Sequence, residues 1–478
     1  MARRYITTTL PYVNADPHIG FALEAVQADA LARTWRLAGE EVFFSTGTDE
    51  HGQKILEAAE KAGQDVQAYA DHYATEFQKL KEALALSNDT FVRTTDAHHL
   101  TAAQEMWRRC DAAGDIYKKA YEGLYCTGCE RFYTEKEIVD GKCPIHLKQL
   151  VTLKEENYFF RFSKYEAALL AYLERPGIVL PEWRREEAIN FVKGGLDDFS
   201  ISREKERLVW GVPVPGDDTQ VMYVWFDALT NYISVLGWPE DERGNFNKFW
   251  EDGTTLQVAG KDQVRFQSLM WQAMLMSAQV KNTDQVFYHG FINSGGQKMS
   301  KSLGNVISPY ELVKKYGTEA TRYLLLRHVH PVEDSDVTWE RLDEWYTANL
   351  VNGLGNLVAR TMKLAEEHLP GPIALTADDT KVEQAFLDLV NAFSFNEAMD
   401  LIYEHIAKGD EYMTSREPYK KVKQEDTKAE ALADLEKLVR HLAKLAAHLE
   451  PMMPATADAI LTAVRENKKP ENLFPRLT

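Results

Sequence analysis

The sequence predicts an α/β protein whose doubly wound parallel sheet is split by an insertion and followed by an all-α helix bundle. Three observations predict this fold. Strand-like and helix-like segments alternate over the first hundred residues and return near residues 256–290. The segment between them, about 115–222, is richer in turn residues and contains a cysteine cluster. Beyond about residue 345, strand patterns stop and apolar residues recur at helical spacing.

Short runs of β-branched and aromatic residues predict the strands. These runs are YITTT (5–9), VFFST (42–46), LQVAG (256–260) and VFYHG (286–290). Helical patterns lie beside them, first near residues 19–38 and then from Gln53 onward. Strands that alternate with helices pair in parallel, so we expect a Rossmann-like sheet built from two halves.

The C-terminal third is predicted to be helical from one apolar face. This face consists of Leu435, Leu438, Val439, Leu442, Leu445, Ala446 and Leu449. Steps of three and four residues place these side chains on one side of a helix, where they can pack against other helices.

Composition limits the classes of protein to consider. The 45% apolar and 27% charged content is typical of a globular protein. A net charge of −18 argues against sequence-independent phosphate binding, so any contact with nucleic acid should be local. A strand pattern follows the opening Met-Ala-Arg-Arg, and no apolar run reaches membrane-spanning length. We therefore expect a cytoplasmic protein with no membrane partner.

The first candidate site is the stretch PHIG at a strand-to-helix junction. The amino terminus of a helix offers unbonded N–H groups to an anion, and ligands bind at the carboxyl ends of parallel strands. His18 can hydrogen-bond to phosphate, and Gly20 lets a nucleotide approach the backbone. Taken alone, a histidine here is also explained as a helix cap or a surface residue.

The second candidate site is GGQKMSKSLGN, residues 295–305. Lys298 and Lys301 are three residues apart among glycines and serines, an arrangement that can hold a polyphosphate. A solvated basic loop is the alternative interpretation. The occurrence of this lysine-containing motif together with PHIG in one chain argues against that alternative.

The third candidate site pairs CTGC (126–129) with CPIH (143–146). Cys126, Cys129, Cys143 and His146 offer three thiolates and an imidazole, which suits a closed tetrahedral structural zinc. Unpaired thiols in a reducing compartment are the alternative. Cys110 lies outside this pattern and is expected to be a core thiol.

PHIG and KMSKS together resemble the two signature motifs of class I aminoacyl-tRNA synthetases. Other segments resemble the methionyl-tRNA synthetases among them: TLPYVN (9–14), GTDEHGQKI (47–55), NFVKGGLDDFSISR (190–203), YVWFDALTNYI (223–233), AGKDQVRF (259–266) and NGLGNLVAR (352–360). The resemblance covers nearly the whole chain. It implies a ligase that activates L-methionine with ATP and charges initiator and elongator methionine tRNAs, with Mg²⁺ accompanying ATP.

The resemblance also implies a role for each segment. Residues 1–114 and 223–290 would form the catalytic Rossmann domain, and 115–222 a connective insertion with one structural zinc per chain. Residues 291–345 would carry the KMSKS loop and contact the tRNA stem, and 346–478 would bind the anticodon. Because the insertion has only about 110 residues, no separate editing domain is expected. The chain ends just after the last helix, and a monomer is expected.

The family's site residues transfer to matching positions. His18, Lys298 and Lys301 would be catalytic, and ATP would bind at His18, Gly20, Gly260, Asp262, Lys298, Ser300 and Lys301. Methionine would bind at Leu10, Tyr12, Asp49, Trp225, Ala228, Leu229, Tyr232, Phe266 and Gln267, with Asp49 on its ammonium group. A plain helix N-cap is a serious alternative interpretation of Asp262. Asn356, Arg360 and Tyr419 would read the anticodon, beside Lys420, Lys421 and Lys423.

Four positions depart from the family pattern. Phe21 replaces the second histidine of the first motif, Gln267 a pocket histidine, and Tyr419 a tryptophan, while His146 stands where a fourth cysteine is common. A sister class I synthetase, a nucleotidyltransferase of the same superfamily and a catalytically silent tRNA-binding paralogue are the alternatives. The two lysines of KMSKS argue against the last of these.

Overall fold

The computed structural model describes residues 2–127, 131–133, 137–145, 147–299 and 305–477. Of Tyr121, Arg131, Phe132, Leu153 and Lys298 it describes the backbone alone. The chain forms two compact units. The first unit comprises Met1–Pro17, Glu40–Leu80 and Asn88–His289, and the second comprises His18–Gly39, Lys81–Ser87 and Gly290–Thr478.

The strands are numbered in chain order. They are β1 Arg3–Thr7, β2 Glu41–Thr48, β3 Thr90–Arg93, β4 Ile116–Cys126, β5 Arg131–Tyr133, β6 Val151–Phe160, β7 Val179–Leu180, β8 Phe199–Ser200, β9 Ser202–Glu204, β10 Pro213–Val214, β11 Asp217–Met222, β12 Thr254–Gly260, β13 Gln285–His289, β14 Ile292–Ser294, β15 Gln297–Lys298 and β16 Ser335–Asp336.

The α-helices follow the same order. They are α1 Ile19–Leu37, α2 Gln53–Ala62, α3 Val66–Gln78, α4 Leu80–Ala83, α5 Ala97–Ala112, α6 Glu166–Leu173, α7 Glu182–Lys193, α8 Val224–Ala228, α9 Asn231–Ser234, α10 Trp271–Ser277, α11 Pro309–Tyr316, α12 Thr318–His328, α13 Trp339–Trp345, α14 Asn356–His368, α15 Gln384–Asn391, α16 Phe395–Arg416, α17 Pro418–Lys421, α18 Glu425–Leu449 and α19 Pro454–Glu466. Short 3₁₀-helices span Phe162–Tyr165, Lys261–Gln263 and Ala377–Thr380, and π-helices span Phe246–Glu251, Phe266–Met270 and Tyr346–Gly355.

A six-stranded parallel sheet in the first unit confirms the predicted α/β fold. Its strand order is β3-β2-β1-β12-β13-β7. The four predicted strands correspond to β1, β2, β12 and β13, and the short edge strands β3 and β7 complete the sheet. The strand order reverses between β1 and β12, and ligands of open α/β sheets bind outside the carboxyl ends of the strands at such a point.

The segment between β3 and β12 also contains antiparallel strands. One sheet has the order β5-β4-β6-β8 and another has the order β10-β11-β9. The long pairing of β4 with β6 begins at Ile116 opposite Phe160 and extends to Tyr125 opposite Val151. This hairpin places Cys126 at the far end of β4.

The second unit contains the predicted helix bundle. Helix α18 packs against α14, α16 and α19, and α14 also contacts α16 and α19. All seven residues of the predicted apolar face lie on α18 and are buried, which confirms the prediction. No helix in the described part of the chain is both long and apolar enough to span a membrane.

A buried ion pair links α1 to α12 in the second unit. Asp29 on α1 lies 2.7 Å from Arg322 on α12, and both side chains are inaccessible to solvent. Arg322 also donates from Nε to the carbonyl oxygen of Met452 (2.8 Å) and from Nη2 to that of Pro451 (3.1 Å), so each of its three guanidinium nitrogens has a partner. The helix that begins at Ile19, within PHIG, therefore belongs to the same compact unit as the bundle.

Candidate active site

The candidate site in the first unit is built around the segment that follows β1. The backbone continues the sheet there, because Tyr12 forms an isolated parallel bridge with Asp49, which follows β2. Asp49 N donates to Pro11 O at 3.0 Å, and Val13 N donates to Asp49 O at 3.2 Å. The structure thus brings together Tyr12 and Asp49, which are 37 positions apart in the chain. Leu10, half-buried, lies just before them.

Asp49 is a buried acid, with 2% of its surface exposed. A buried carboxylate has to be compensated by hydrogen bonds or by positive charge. Its neighbour Glu50 is held separately: Arg93 donates to both Glu50 oxygens at 2.6 and 2.7 Å. Arg93 thus pairs with Glu50, and Asp49 is a second buried acid at the same strand end.

Aromatic side chains form a wall next to Tyr12. The rings of Trp225 and Phe266 stack with their centroids 3.8 Å apart and an interplanar angle of 12°. The Tyr12 ring meets Trp225 edge-on at 6.2 Å. Phe266 opens a π-helix, a distortion found often at functional sites. Half-buried aromatic rings in this arrangement suit an apolar or thioether side chain.

The remaining predicted methionine-site residues are buried in the same unit. Ala228, Leu229, Tyr232 and Gln267 are each at most 4% exposed. Gln267 Nε2 donates to Tyr232 Oη at 2.6 Å, whereas Gln267 Oε1 has no hydrogen-bond partner among the residues that the structure describes. A buried acceptor without a partner is unfavourable and is a candidate contact for a polar ligand group. Gln267 thus has its amide donor engaged, whereas its side-chain oxygen lacks a partner among the described residues.

The segment after β12 carries two predicted ATP-site residues. Gly260 ends β12 and is the N-cap of the short 3₁₀-helix Lys261–Gln263, while Asp262 lies inside that helix and is exposed. The alternative that Asp262 is an N-cap is therefore wrong. Both residues lie at the carboxyl end of β12, next to the point where the strand order reverses.

His18 and Gly20 lie in the second unit. His18 is the N-cap of α1, and its Nδ1 accepts a hydrogen bond from Gly20 N at 3.0 Å. In neutral imidazole the proton then lies on Nε2, which becomes a donor. A Cβ at position 20 would lie 2.9 Å from His18 Cε1, so glycine also leaves room for the histidine ring. His18 is thus a cap and, on its other nitrogen, a potential phosphate donor.

The lysine-rich loop begins in the second unit at a hairpin. Asn293 pairs with Lys298 and Ser294 with Gln297, and the two glycines between the strands have φ of 63° and 73°. Positive φ at both central residues is what a tight hairpin turn requires. The Lys298 side chain, Ser300 and Lys301 lie outside the described part of the chain.

Two of the four predicted zinc ligands lie in one buried cluster. Cys126 and Cys143 are 3% and 0% exposed and share this cluster with Tyr133. The other two predicted ligands, Cys129 and His146, lie outside the described residues. Cys110 lies apart in the core of the first unit, where burial raises the pKa of its thiol to about 12. Its assignment as a core thiol is confirmed.

The predicted anticodon residues lie on two helices of the second unit. Asn356 opens α14 and is exposed, and Arg360 follows one turn later, 4.0 Å from Asp410. Tyr419 is half-buried on α17. Lys420 and Lys421, next to it, pair with Glu417 and Glu430. These ion pairs reduce the local positive charge that the sequence predicted.

Among the described residues, one further group of side chains has metal-ligand chemistry. Glu383, His405 and His448 have ligand atoms within 4.8 Å of one another. His448 Nε2 already accepts from Glu383 N at 3.1 Å, and Lys444 lies 2.6 Å from the Glu383 carboxylate. These internal bonds explain the cluster as a stabilised helix junction, so we assign no metal to it.

Comparison with known proteins places the chain in a family. The family model described as tRNA synthetases class I (M) matches residues 4–150 and 148–362. Methionine–tRNA ligase of Thermotoga maritima is 39% identical, over 98% of this chain and 76% of the relative. The chain belongs to the methionine–tRNA ligases. The ligase of Fusobacterium nucleatum subsp. nucleatum is 38% identical, over 98% of this chain and 75% of the relative.

Solved methionyl-tRNA synthetase structures share the fold. The Mycobacterium tuberculosis methionyl-tRNA synthetase in complex with methionyl-adenylate has a TM-score of 0.88 and is 36% identical, with 100% of this chain and 99% of that chain covered. The free-state structure of the M. tuberculosis synthetase has a TM-score of 0.84 at 33% identity. This methionine–tRNA ligase family member therefore has the α/β sheet and helical C-terminal region of class I synthetases.

Sequence reasoning missed three polar residues next to the ligase's candidate site. Glu50, His51 and Asp227 lie within two residues of predicted site positions and are at most 5% exposed. The sequence contained a signal for these three residues, because GTDEHG and WFDA place ionisable residues within or next to apolar segments. Buried ionisable groups need partners, and a search for partners would have linked the two segments.

Phe21 is buried, with 8% of its surface exposed, so the position that differs from the family motif serves packing. We expect Phe21→His to lower the free energy of unfolding by about 1–3 kcal/mol, because it buries a polar ring. We expect the rate of methionine activation to stay unchanged. Pyrophosphate exchange and thermal unfolding measure the two effects, with Phe21→Leu as the apolar control. A severalfold faster exchange in Phe21→His would show instead that a second histidine contacts phosphate.

Proposed function

We propose that the chain activates L-methionine with ATP, forming methionyl-adenylate and pyrophosphate, and transfers the methionyl group to the 3′-terminal adenosine of methionine tRNAs. The observation that carries this proposal is the buried Asp49 carboxylate beside Tyr12 and the stacked rings of Trp225 and Phe266. An α-amino acid with a long apolar side chain matches both the buried carboxylate and the aromatic rings. Its ammonium group suits the carboxylate, and its side chain suits the aromatic wall.

The amino acid would be held by groups of the first unit. Asp49 and the Leu10 carbonyl oxygen would accept hydrogen bonds from the methionine ammonium. The thioether would lie among the aromatic edges and the small Ala228 side chain, where sulfur gains from contact with rings. Leu229 and Tyr232 would close the slot, and Gln267 Oε1 would meet a polar group of the substrate.

Activation would proceed by in-line displacement at the α-phosphorus of ATP. A methionine carboxylate oxygen attacks this phosphorus while the bond to pyrophosphate breaks, so no covalent enzyme intermediate is needed. His18 would donate from Nε2 to a phosphate oxygen in the transition state, and Lys298 and Lys301 would bind the β and γ phosphates. Fixed donors and charges at developing negative charge are the main source of catalysis in such a step.

The remaining predicted ATP-site residues would contact other parts of the nucleotide. Gly20 would allow close approach of ATP to the start of α1, Ser300 would add a hydroxyl, and Gly260 and Asp262 would lie at the ribose. Mg²⁺ accompanying ATP would supply positive charge that stabilises the phosphates. In the second step a ribose hydroxyl of the terminal adenosine attacks the adenylate carbonyl carbon, and AMP leaves.

Methionine-dependent exchange between pyrophosphate and ATP tests the proposal. We expect exchange with methionine and little with leucine, isoleucine or cysteine, followed by charging of initiator and elongator methionine tRNAs. Faster exchange with another amino acid would favour a sister class I synthetase. Binding of tRNA without any exchange would favour a catalytically silent paralogue.

We also propose one structural zinc per chain, held by Cys126, Cys129, Cys143 and His146. Its support is the shared buried cluster of Cys126 and Cys143, since thiolates kept from water suit a closed zinc site. We expect elemental analysis to find about one zinc per chain in the purified protein and far less in Cys143→Ser. Cys110→Ser is the matched control, because it also removes a buried thiol. Equal loss of zinc from both variants would contradict the assignment.

We propose that α14 and α17 read the anticodon through Asn356, Arg360 and Tyr419. Stacking of a base on an aromatic ring is worth about 1–3 kcal/mol. Tyr419→Ala should therefore lower kcat/KM for charging by about 10–100-fold, while pyrophosphate exchange stays unchanged and Tyr419→Trp remains active. Charging of a methionine tRNA and an anticodon mutant measures the effect. Equal charging of the two tRNAs by the unaltered protein would refute anticodon reading.

A further inference from the structure

A carboxylate that no proposed step uses lies buried on α8, the helix that carries Trp225. Asp227 is on α8, two residues after Trp225 and directly before Ala228, and its surface is 0% exposed. It accepts from two imidazoles, His51 Nδ1 at 2.7 Å and His99 Nε2 at 2.8 Å. Burial would raise the pKa of Asp227, but the two imidazoles more than offset this and hold its pKa below the usual range. The group is therefore an ionised acceptor for both histidines.

The first imidazole belongs to the loop of Asp49. His51 is two residues beyond Asp49, and its ring packs on Trp210 with a centroid distance of 5.4 Å. Glu50, between Asp49 and His51, accepts hydrogen bonds from Arg93 and from Thr95 Oγ1, the latter at 2.6 Å. The residues on the carboxyl-terminal side of Asp49 are thus fixed at two consecutive positions by side chains from other elements.

The second imidazole contacts the short helix that carries Tyr232. His99 is on α5, and its Nδ1 lies 2.9 Å from Ser234 Oγ on α9. The same short helix carries Tyr232, whose backbone carbonyl accepts from Tyr5 Oη at 2.8 Å. Through two histidines, Asp227 joins the Asp49 loop, the α8 wall with Trp225, and the α9 wall with Tyr232.

We propose that Asp227 is a positioning residue, which holds the Asp49 carboxylate and the aromatic wall in the relative geometry that the methionine ammonium and side chain require. This inference rests on the proposed function of the site. Displacement of a binding group by about 1 Å can reduce catalysis by about 10²-fold, so a support outside the substrate contact affects binding strongly. Asp227 can hold both imidazoles because its ionised carboxylate only accepts hydrogen bonds, and each imidazole directs an N–H group at it.

A comparison of two buried acids tests the inference. Asp115 is also 0% exposed, lies in the same unit, and accepts from Lys164, Tyr165 and Ser277 at 2.6, 2.5 and 2.8 Å. We expect Asp227→Ala to raise the KM for methionine about tenfold or more and to leave the KM for ATP within about twofold. We expect Asp115→Ala to lower the melting temperature without changing the KM for methionine.

A second pair of variants does not depend on removing the carboxylate. His51→Asn places an amide N–H where Nδ1 stands, whereas His51→Ala removes the donor. We expect the KM for methionine to rise in His51→Ala and to return toward the unaltered value in His51→Asn. This rescue separates positioning from packing, because both variants lose the imidazole ring.

The outcomes are distinguishable. An unaltered protein without methionine-dependent exchange overturns the proposed function and this inference with it. An active protein in which Asp227→Ala or His51→Ala keeps the methionine KM, or in which Asp115→Ala raises it equally, overturns the inference alone. Equal KM values in His51→Ala and His51→Asn would also overturn it, since the hydrogen bond would then have no positioning role.

Discussion

Asp49→Asn is expected to lose methionine-dependent pyrophosphate exchange by about 10²-fold or more, mainly through a higher KM for methionine. The carboxylate is 2% exposed, and removal of one partner from a buried ion pair costs about 3–5 kcal/mol. Each 1.4 kcal/mol corresponds to about tenfold in affinity. The KM for ATP should change little, because the carboxylate would contact only the amino acid.

Exchange kinetics with methionine and ATP varied separately measure this effect. Glu57→Gln is the matched control, since Glu57 is an exposed acid on α2, eight positions further along the chain, that accepts from Gln53 Nε2 at 2.6 Å. It should leave both KM values unchanged. If Asp49→Asn binds methionine as the unaltered protein does, the ammonium group is held elsewhere and the proposed orientation of the substrate is wrong.

His18→Ala is expected to lower kcat for exchange by about 10²–10³-fold, the range for loss of one transition-state hydrogen-bond donor. Because Nδ1 is engaged by Gly20 N, the donor lost is Nε2–H. The KM for methionine should be retained, since Asp49 and the aromatic wall remain. The variant should also lose about 0.5–2 kcal/mol of stability, because His18 caps α1.

His18→Asn separates these two effects. An asparagine side-chain oxygen can accept from Gly20 N and so preserves the cap, but its amide is too short to reach the position of Nε2. We expect kcat in His18→Asn to fall as far as in His18→Ala while the melting temperature stays close to that of the unaltered protein. Normal kcat in His18→Asn would mean that position 18 acts only as a cap.

The segments proposed to bind methionine differed in how much the sequence alone could predict about them. Leu10, Tyr12 and Asp49 were identified from short motifs, and the structure brings Tyr12 and Asp49 into adjacent backbone positions. Phe21 could not be interpreted from the motif, because a phenylalanine after PHIG is equally compatible with contact to a ligand and with packing. Its burial required knowledge of the complete environment of α1.

Strand prediction shows the same division. The strands β1, β2, β12 and β13 have runs of β-branched or aromatic residues, and these were found. The strands β3 and β7 have four and two residues, too few for a periodic pattern. They are strands because neighbouring strands supply their hydrogen bonds, with β3 paired to β2 and β7 to β13.

Sequence alone establishes the order of strands and helices, the apolar face of α18 and the motifs of the family, because periodicity and spacing act between near neighbours. Only the tertiary structure reveals the partners of Asp227. Its two histidines are 176 and 128 positions away, and no local pattern encodes contacts at that distance. They meet because the packing of α5, α8 and the loop after β2 brings three buried polar groups together, where each needs the others for its hydrogen bonds.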